Sequence, residues 1–327
     1  VATPGARDHG RGAGALLRRL HVPLQIGLTL VIGVGLPFGL YVALDRAGFD
    51  VTFVMYPIVV LTLVTAGALI WIEGLSALRP TEPPPFSGTY PPATAIIAAY
   101  LPNEAATVLE TVAAFQRIDY PGDLQIILAY NTPRSLPVEA VLRSLATRDK
   151  RIELLRVDNS NSKAQNVNAA LELVRGHFVG VFDADHHPDP RSFRRAWAWL
   201  AGGSDIVQGH NVVRSGDASA LARLVAVEFE SMYAVAHPGR GRLHGFGIFG
   251  GSNGFWRTAL LRETRMRGSM LTEDIDSSMR AVRAGHRISS DRSLISQELA
   301  PTTVRALWDQ RTRWAQGWFQ ASLAHAL

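Results

Sequence analysis

The sequence predicts an α/β protein built on a mostly parallel, doubly wound sheet and set behind a pair of membrane helices. Three observations predict it. Between residues 94 and 182, short apolar runs alternate with helical patterns at the spacing of parallel strands joined by crossover helices. One of those runs, Val179-Gly180-Val181-Phe182, ends abruptly in Asp183-Ala184-Asp185. Ahead of the alternation, residues 22–44 and 51–72 contain no charged side chain, and each run reaches the roughly 20 apolar residues that cross a bilayer.

The 327 residues allow one large domain or two of ordinary size. Cysteine is absent, which excludes disulfides and thiolate zinc sites. The 33 basic and 28 acidic residues leave a formal charge of +5, and the only lysines are Lys150 and Lys163. Arginine suits bidentate phosphate binding and contact with anionic lipid. The basic residues are scattered without an aromatic-interleaved patch, so no nucleic acid partner is expected.

Residues 1–20, with Arg7, Arg11, Arg18 and Arg19 among Gly and Ala, read as a mobile basic tail. Residues 21–78 read as a transmembrane helical hairpin whose turn is Asp45-Arg46-Ala47-Gly48-Phe49-Asp50. Arginines precede the first span and Arg79 follows the second, so the positive-inside rule puts both ends in the cytoplasm. A localisation in the plasma (inner) membrane follows, with the catalytic domain on the cytoplasmic side. Six prolines within 79–92 make a stiff linker and a domain boundary. Residues 93–300 then form the α/β domain. Strands are expected at 94–99, 124–130, 152–157 and 178–182, and helices at 104–116, 164–174 and 275–284. Residues 301–327 read as an amphipathic interfacial segment.

In open α/β sheets the ligand crevice lies outside the carboxyl ends of the strands. Asp183 and Asp185 emerge there, and side chains two apart in an extended segment point the same way. Both carboxylates suit one hard divalent cation, although Asp-x-Asp also serves as turn or helix-cap chemistry. The turn from Tyr100 to Glu104 is a nucleotide-facing position or an ordinary cap at Asn103. Lys163 opens a helix after a polar loop, where it suits diphosphate or simply faces solvent. Five glycines in 244–254 suggest close approach of backbone to ligand or a loop that moves. Thr272-Glu273-Asp274 combines helix-start chemistry with a carboxylate available as a general base. Leu307, Trp314 and Trp318 share one face of the last helical pattern, and tryptophans with arginines there suit a membrane interface or a sugar–phosphate site.

Asp183-Ala184-Asp185, Thr272-Glu273-Asp274 and Gln310-x-x-Arg313-Trp314, in this order after two apolar spans, resemble a family 2 membrane glycosyltransferase. The likeness is greatest to bacterial cellulose-synthase-like polysaccharide synthases. It covers residues 94 to about 320, with further matches at Asp158, Lys163 to Asn168, and Phe249-Gly250-Gly251-Ser252-Asn253. The resemblance implies a glycosyltransferase A-type fold that transfers sugar from a nucleotide diphosphate donor with inversion. It implies that Asp183 and Asp185 hold the diphosphate and its Mg²⁺ or Mn²⁺, and that Asp274 is the base beside Glu273. Lys163 and Arg313 would contact diphosphate, Trp314 would stack on the acceptor, and Gln310, Gly251 and Ser252 would complete the substrate site.

Members of that family often carry Asp at the end of the second strand to read the nucleobase. Here the chain has Asn131, which still hydrogen-bonds a base edge but offers donors as well as an acceptor, and uridine is the expected base. The partners implied are a nucleotide-sugar donor, a growing glycan or a lipid acceptor, membrane lipid, and export or accessory subunits. Synthases of this group continue into further membrane helices beyond the position of Leu327. The same carboxylates also suit a metal-dependent nucleotide hydrolase, and the hydrophobic segments suit an inactive membrane scaffold.

Overall fold

A computed structural model describes residues 27, 28 and 30–326. The expected basic tail and the first residues of the first apolar run lie outside the described residues. Two units are distinguished, residues 1–69 and 70–327. In the first, a π-helical turn at Val31–Gly35 leads into helix α1, Leu36–Arg46. Helix α2, Thr52–Ala77, starts in the first unit and is 26 residues long. Among the described residues it alone is long and apolar enough to cross a membrane, and its apolar stretch is exposed rather than packed in a core. The run predicted as the second span is one uninterrupted helix, and no second helix of that length and apolarity is found among the described residues, so the two-helix hairpin is not established. The described part of the first is helical, with its widened turn two residues before Pro37. Proline lacks an N–H and its ring presses on the carbonyl four residues back, so a π turn just ahead of it relieves the strain.

The second unit carries an eight-stranded sheet. Its strands are β1 (Ala93–Tyr100), β2 (Leu124–Asn131), β3 (Ile152–Arg156), β4 (Phe178–Asp183), β5 (His187–Pro188), β6 (Ile206–Val213), β7 (Gly254–Arg257) and β8 (Ile288–Glu298). Their order is β3-β2-β1-β4-β7-β6-β8-β5. β3, β2, β1 and β4 are mutually parallel, whereas β7 runs antiparallel between β4 and β6. From β1 the chain steps outward to β2 and β3, then returns to β4 on the other side of β1. That reversal creates a crevice at the carboxyl ends, between β1 and β4.

Alternation along β1 explains the two layers. Ala93, Ala95, Ile97 and Ala99 pack into one core with Phe115, Phe178, Phe182, Phe193 and Phe255, while Ile96 and Ala98 enter the opposite core with Val167, Val181 and Trp256. Edge-on ring contacts such as Phe115–Phe182 at 4.9 Å and Phe193–Phe255 at 5.1 Å knit the first core. Gly180 is required in β4 because a Cβ there would strike the rings of Phe182, Phe255 and Phe193.

The predicted 104–116 helix is divided. Leu101–Glu104 makes a single turn, and helix α3 begins at Val108 and ends at Gln116. Glu104 folds its carboxylate back onto the Tyr100 N–H, which closes the first turn on itself. The remaining helices are α4 (Val138–Arg148), α5 (Lys163–Ala170), α6 (Ser192–Ala201), α7 (Ala220–Phe229), α8 (His237–His244), α9 (Thr258–Thr264), α10 (Glu273–Arg283) and α11 (Val304–His325). A second π segment, Glu230–Ala236, precedes Pro238 just as the first precedes Pro37.

Candidate active site

The carboxyl ends of β1 to β4 surround a cavity of about 930 Å³. Tyr100, Glu104, Asn131, Asp158, Lys163 and Asp183 all line it, so six of the predicted site residues are brought together. Lys163 opens α5, whose cap is Ser162, and the Ser162 hydroxyl accepts from Gln165 N while the Gln165 amide accepts from Asn161 N. The positive end of that helix therefore borders the cavity.

Lys163 is the electrostatic centre. Its ammonium pairs with Asp183 and donates to the Gly251 carbonyl at 2.6 Å. Burial alone would lower its pKa, but Asp183, Glu273 and Asp274 outweigh that and raise it. Glu104 is pushed up to about 8, first by burial and then by Asp183, with Asp185 adding to it. Too many carboxylates face one lysine, and that surplus suits a bound cation.

Asp185 is also partly engaged: one carboxylate oxygen accepts from Leu299 N at 3.1 Å, and its carbonyl accepts from Arg214 at 2.9 Å. Beside it, buried His186 sits 3.4 Å from Glu298, whose second oxygen is buried without a partner. Among the described residues no group of three or more His, Asp or Glu surrounds one point. Asp183 and Asp185 would offer carboxylate oxygens to a hard divalent cation, with phosphate oxygens and water completing its shell.

The glycine-rich loop joins this carboxylate pair to the predicted base. Ser252 accepts from Asp183 N at 3.0 Å. Gln208 on β6 grips the loop from below, accepting from Gly250 N at 2.7 Å and donating to the Ser252 carbonyl at 3.0 Å. Gly251 has φ +89°, and a Cβ there would lie 2.8 Å from a carboxylate oxygen of Asp274. Asp274 occupies the first turn of α10, with its other oxygen accepting from Ile275 N at 2.9 Å. Its pKa is pushed up to about 7, by burial and then by Glu273. Glu273 is itself raised by burial, against the pull of Lys163 and Arg313.

Helix α11 holds α10 in place. Gly317 packs on Thr272 where a Cβ would collide, Gln320 accepts from Leu271 N at 3.0 Å, and His325 reaches buried Asp276 at 3.0 Å. Arg313 is exposed, and its field is felt at Glu273. Gln310 accepts from Arg311 at 2.7 Å. Trp314 is half-buried against Phe229, with the Arg311 guanidinium 4.2 Å from its ring centre. These three side chains do not line the 930 Å³ cavity, and Asp185, Gly251, Ser252, Glu273 and Asp274 also lie outside its lining.

Asn131 lines the cavity and is also tied into the fold. Its amide N–H₂ donates to the Ser160 carbonyl at 2.9 Å and its oxygen accepts from Asn166 at 2.8 Å. Gln208 and Arg156 were not singled out from sequence. Polar residues inside the otherwise apolar β6 run 206–213 are the signal that marked Gln208.

Three comparisons bear on the family and the fold. A family model described as glycosyltransferase like family 2 matches residues 91–317. The chain is 27% identical over 275 residues to a beta-monoglucosyldiacylglycerol synthase of Synechocystis, covering 78% of this chain and 56% of that protein. It is 25% identical over 300 residues to a cellulose synthase catalytic subunit of Xanthomonas axonopodis, covering 90% of this chain and 39% of that one. The chain thus spans roughly half or less of these relatives' length. A mannosyltransferase of Pyrobaculum calidifontis, solved with GDP-Man and Mn²⁺, shares the fold at TM-score 0.64 and 22% identity, over 81% of this chain and 74% of that one. By the family model, which spans most of its length, the chain belongs to glycosyltransferase like family 2.

Proposed function

We propose that this glycosyltransferase is membrane-anchored, draws sugar from a nucleotide diphosphate donor, and extends a β-linked polysaccharide on the cytoplasmic face with inversion. The observation that carries the reading is the meeting at Gly251. Its carbonyl accepts from Lys163, which pairs with Asp183, and the Asp274 carboxylate lies where a Cβ of the same residue would point. Inversion needs the departing diphosphate and the proton acceptor on opposite faces of the sugar.

Asp183 and Asp185 would hold a divalent cation together with the diphosphate. That ion supplies positive charge to the leaving group as the donor bond breaks. Lys163 adds its own charge to the same oxygens, and Arg313 approaches from α11. Asp274, raised to about 7, takes the proton of the attacking hydroxyl at its oxygen beside Gly251. Helix α2 anchors the domain, and the exposed Val304, Phe319 and Leu323 of α11 suit the bilayer surface.

A second reading, transfer of one sugar to a membrane lipid, uses the same residues. The similarity to the Synechocystis diacylglycerol glucosyl enzyme favours it. One experiment separates the two: the detergent-purified chain is incubated with a panel of nucleotide sugars, Mn²⁺, and either oligosaccharide or diacylglycerol. A lengthening glycan supports the first reading and a glycolipid the second. Absence of transfer from every donor would overturn both.

A further inference from the structure

Asn131 is tied to Ser160 and Asn166 and only 8% exposed, so more open groups of the donor cavity are better placed to recognise the base. The orientation of these amides is determined by their partners. The carbonyls of Ser160 and Ala99 can only accept, so each amide turns its N–H₂ toward one of them, which fixes the Asn131 side chain with one N–H and its oxygen engaged. An Asp at position 131 would set a carboxylate against the Ser160 carbonyl, so this chain has built a clamp where a base reader is expected.

The same wall of the cavity carries Arg156 and Asp158, at the end of β3 and just beyond it. Arg156 Nε donates to Asp158 Oδ1 at 3.1 Å, and Nη1 points toward Glu139 at 3.5 Å. Among the described residues, Nη2 of Arg156 and Oδ2 of Asp158 have no partner. Asp158 is 76% exposed and Arg156 37%, so both are open to a ligand. Asn159, with φ +63°, turns the chain between them and Ser160, whose carbonyl the Asn131 clamp holds.

We infer that Arg156 and Asp158 together read the donor's nucleobase, and that they select the lactam edge shared by uracil and guanine. A guanidinium beside a carboxylate presents a strong donor next to a strong acceptor. Its best complement is a carbonyl oxygen adjacent to an acidic ring N–H, because charge-assisted bonds favour the largest opposite partial charges. Uracil offers this at O4 and N3, and guanine at O6 and N1. Cytosine and adenine carry an amino group in place of that carbonyl and an unprotonated ring nitrogen in place of that N–H. The sugar bond fixes the order in which the edge is presented, so for those two bases donor meets donor and acceptor meets acceptor.

This inference rests on the nucleotide-sugar reading above and is tested apart from it. UDP, GDP, CDP and ADP are each titrated into the full chain with Mn²⁺ by calorimetry, alongside pyrophosphate. The parent is expected to bind UDP or GDP about tenfold to a hundredfold more tightly than CDP and ADP, the worth of one charge-assisted bond. Whichever of UDP and GDP binds more tightly names the base. In Asp158→Ala the advantage should collapse to about threefold or less, with pyrophosphate affinity unchanged. Arg156→Met should act in the same direction, and its melting temperature reports any loss from the Glu139 contact. An advantage that survives intact in Asp158→Ala overturns the inference alone, as does a parent that binds CDP or ADP as tightly as UDP and GDP. Failure of every nucleoside diphosphate to bind overturns the donor reading, and this inference with it.

Discussion

The donor side and the base side of the site are built on opposite principles. Around the cavity the amides satisfy one another and Lys163 answers Asp183, with Glu104, raised to about 8 by burial, as an exception: Asn131 bonds Ser160 and Asn166, and Asn166 reaches the Ala99 carbonyl. Beside Gly251, Glu273 and Asp274 are neighbours with their ionisation suppressed by burial. Where the chain satisfies its own polar groups it makes a scaffold. Where it leaves carboxylates desolvated and adjacent, it holds chemistry in reserve.

The largest expected effect breaks the base side alone. Asp274→Asn keeps shape and helix-start capacity but removes the proton acceptor, so the transfer rate should fall about a hundredfold to ten-thousandfold. Steady-state transfer with the best donor measures it, and near-parent turnover would reassign the base. Breaking the other side, Asp185→Asn should weaken metal-dependent diphosphate binding by about tenfold to a hundredfold, on the scale of perturbed metal shells. Calorimetry with and without Mn²⁺ reads this, and an unchanged metal dependence would place the ion elsewhere.

The Gly251 boundary itself is tested next. Gly251→Ala forces a side chain into a left-handed backbone and against Asp274, at a cost on the order of 1–3 kcal/mol. Turnover should drop by about five- to a hundredfold if that strain is felt at the base, with diphosphate affinity held near the parent value. Equal losses in both would show that the loop serves both sides.

The pH profile sharpens the same contrast. As the proposed base Asp274 would work deprotonated, and burial has moved its pKa upward to about 7. Activity should therefore climb about tenfold per pH unit on the acid side and level off above neutrality, a limb that Asp274→Asn abolishes. The smallest effect concerns topology. In this cysteine-free chain, single cysteines at Phe49 and Ser87 should label from opposite sides of the membrane with an impermeant thiol reagent. Labelling of both from outside intact cells would contradict the hairpin.

The donor side was far more readable from sequence than the base side, for physical reasons. Apolar runs such as 124–130 and 178–182 are buried on both faces, so each announces a strand, and polar residues at their ends announce the site. β6 and β8 were not expected because buried Gln208, Asn211, Ser289 and Asp291 interrupt their apolar pattern. The division at Leu101–Glu104 arises from one carboxylate turning back on Tyr100, a contact that periodicity does not encode. Asn131 was identified as a site residue, but its role depends on Ser160 and Asn166, 29 and 35 residues away. Gln208 grips a loop more than 40 residues distant, which only the folded sheet brings near.

The most direct measurement compares donor binding in two variants that each remove one carboxylate. Titrating the nucleoside diphosphate that the parent binds best, with Mn²⁺, into Asp274→Asn and Asp185→Asn asks whether the site has two separable sides. The account predicts parent-like affinity in Asp274→Asn and a clear loss in Asp185→Asn. Loss of affinity in both would contradict it, because Asp274 would then belong to the donor site and the division at Gly251 would not exist.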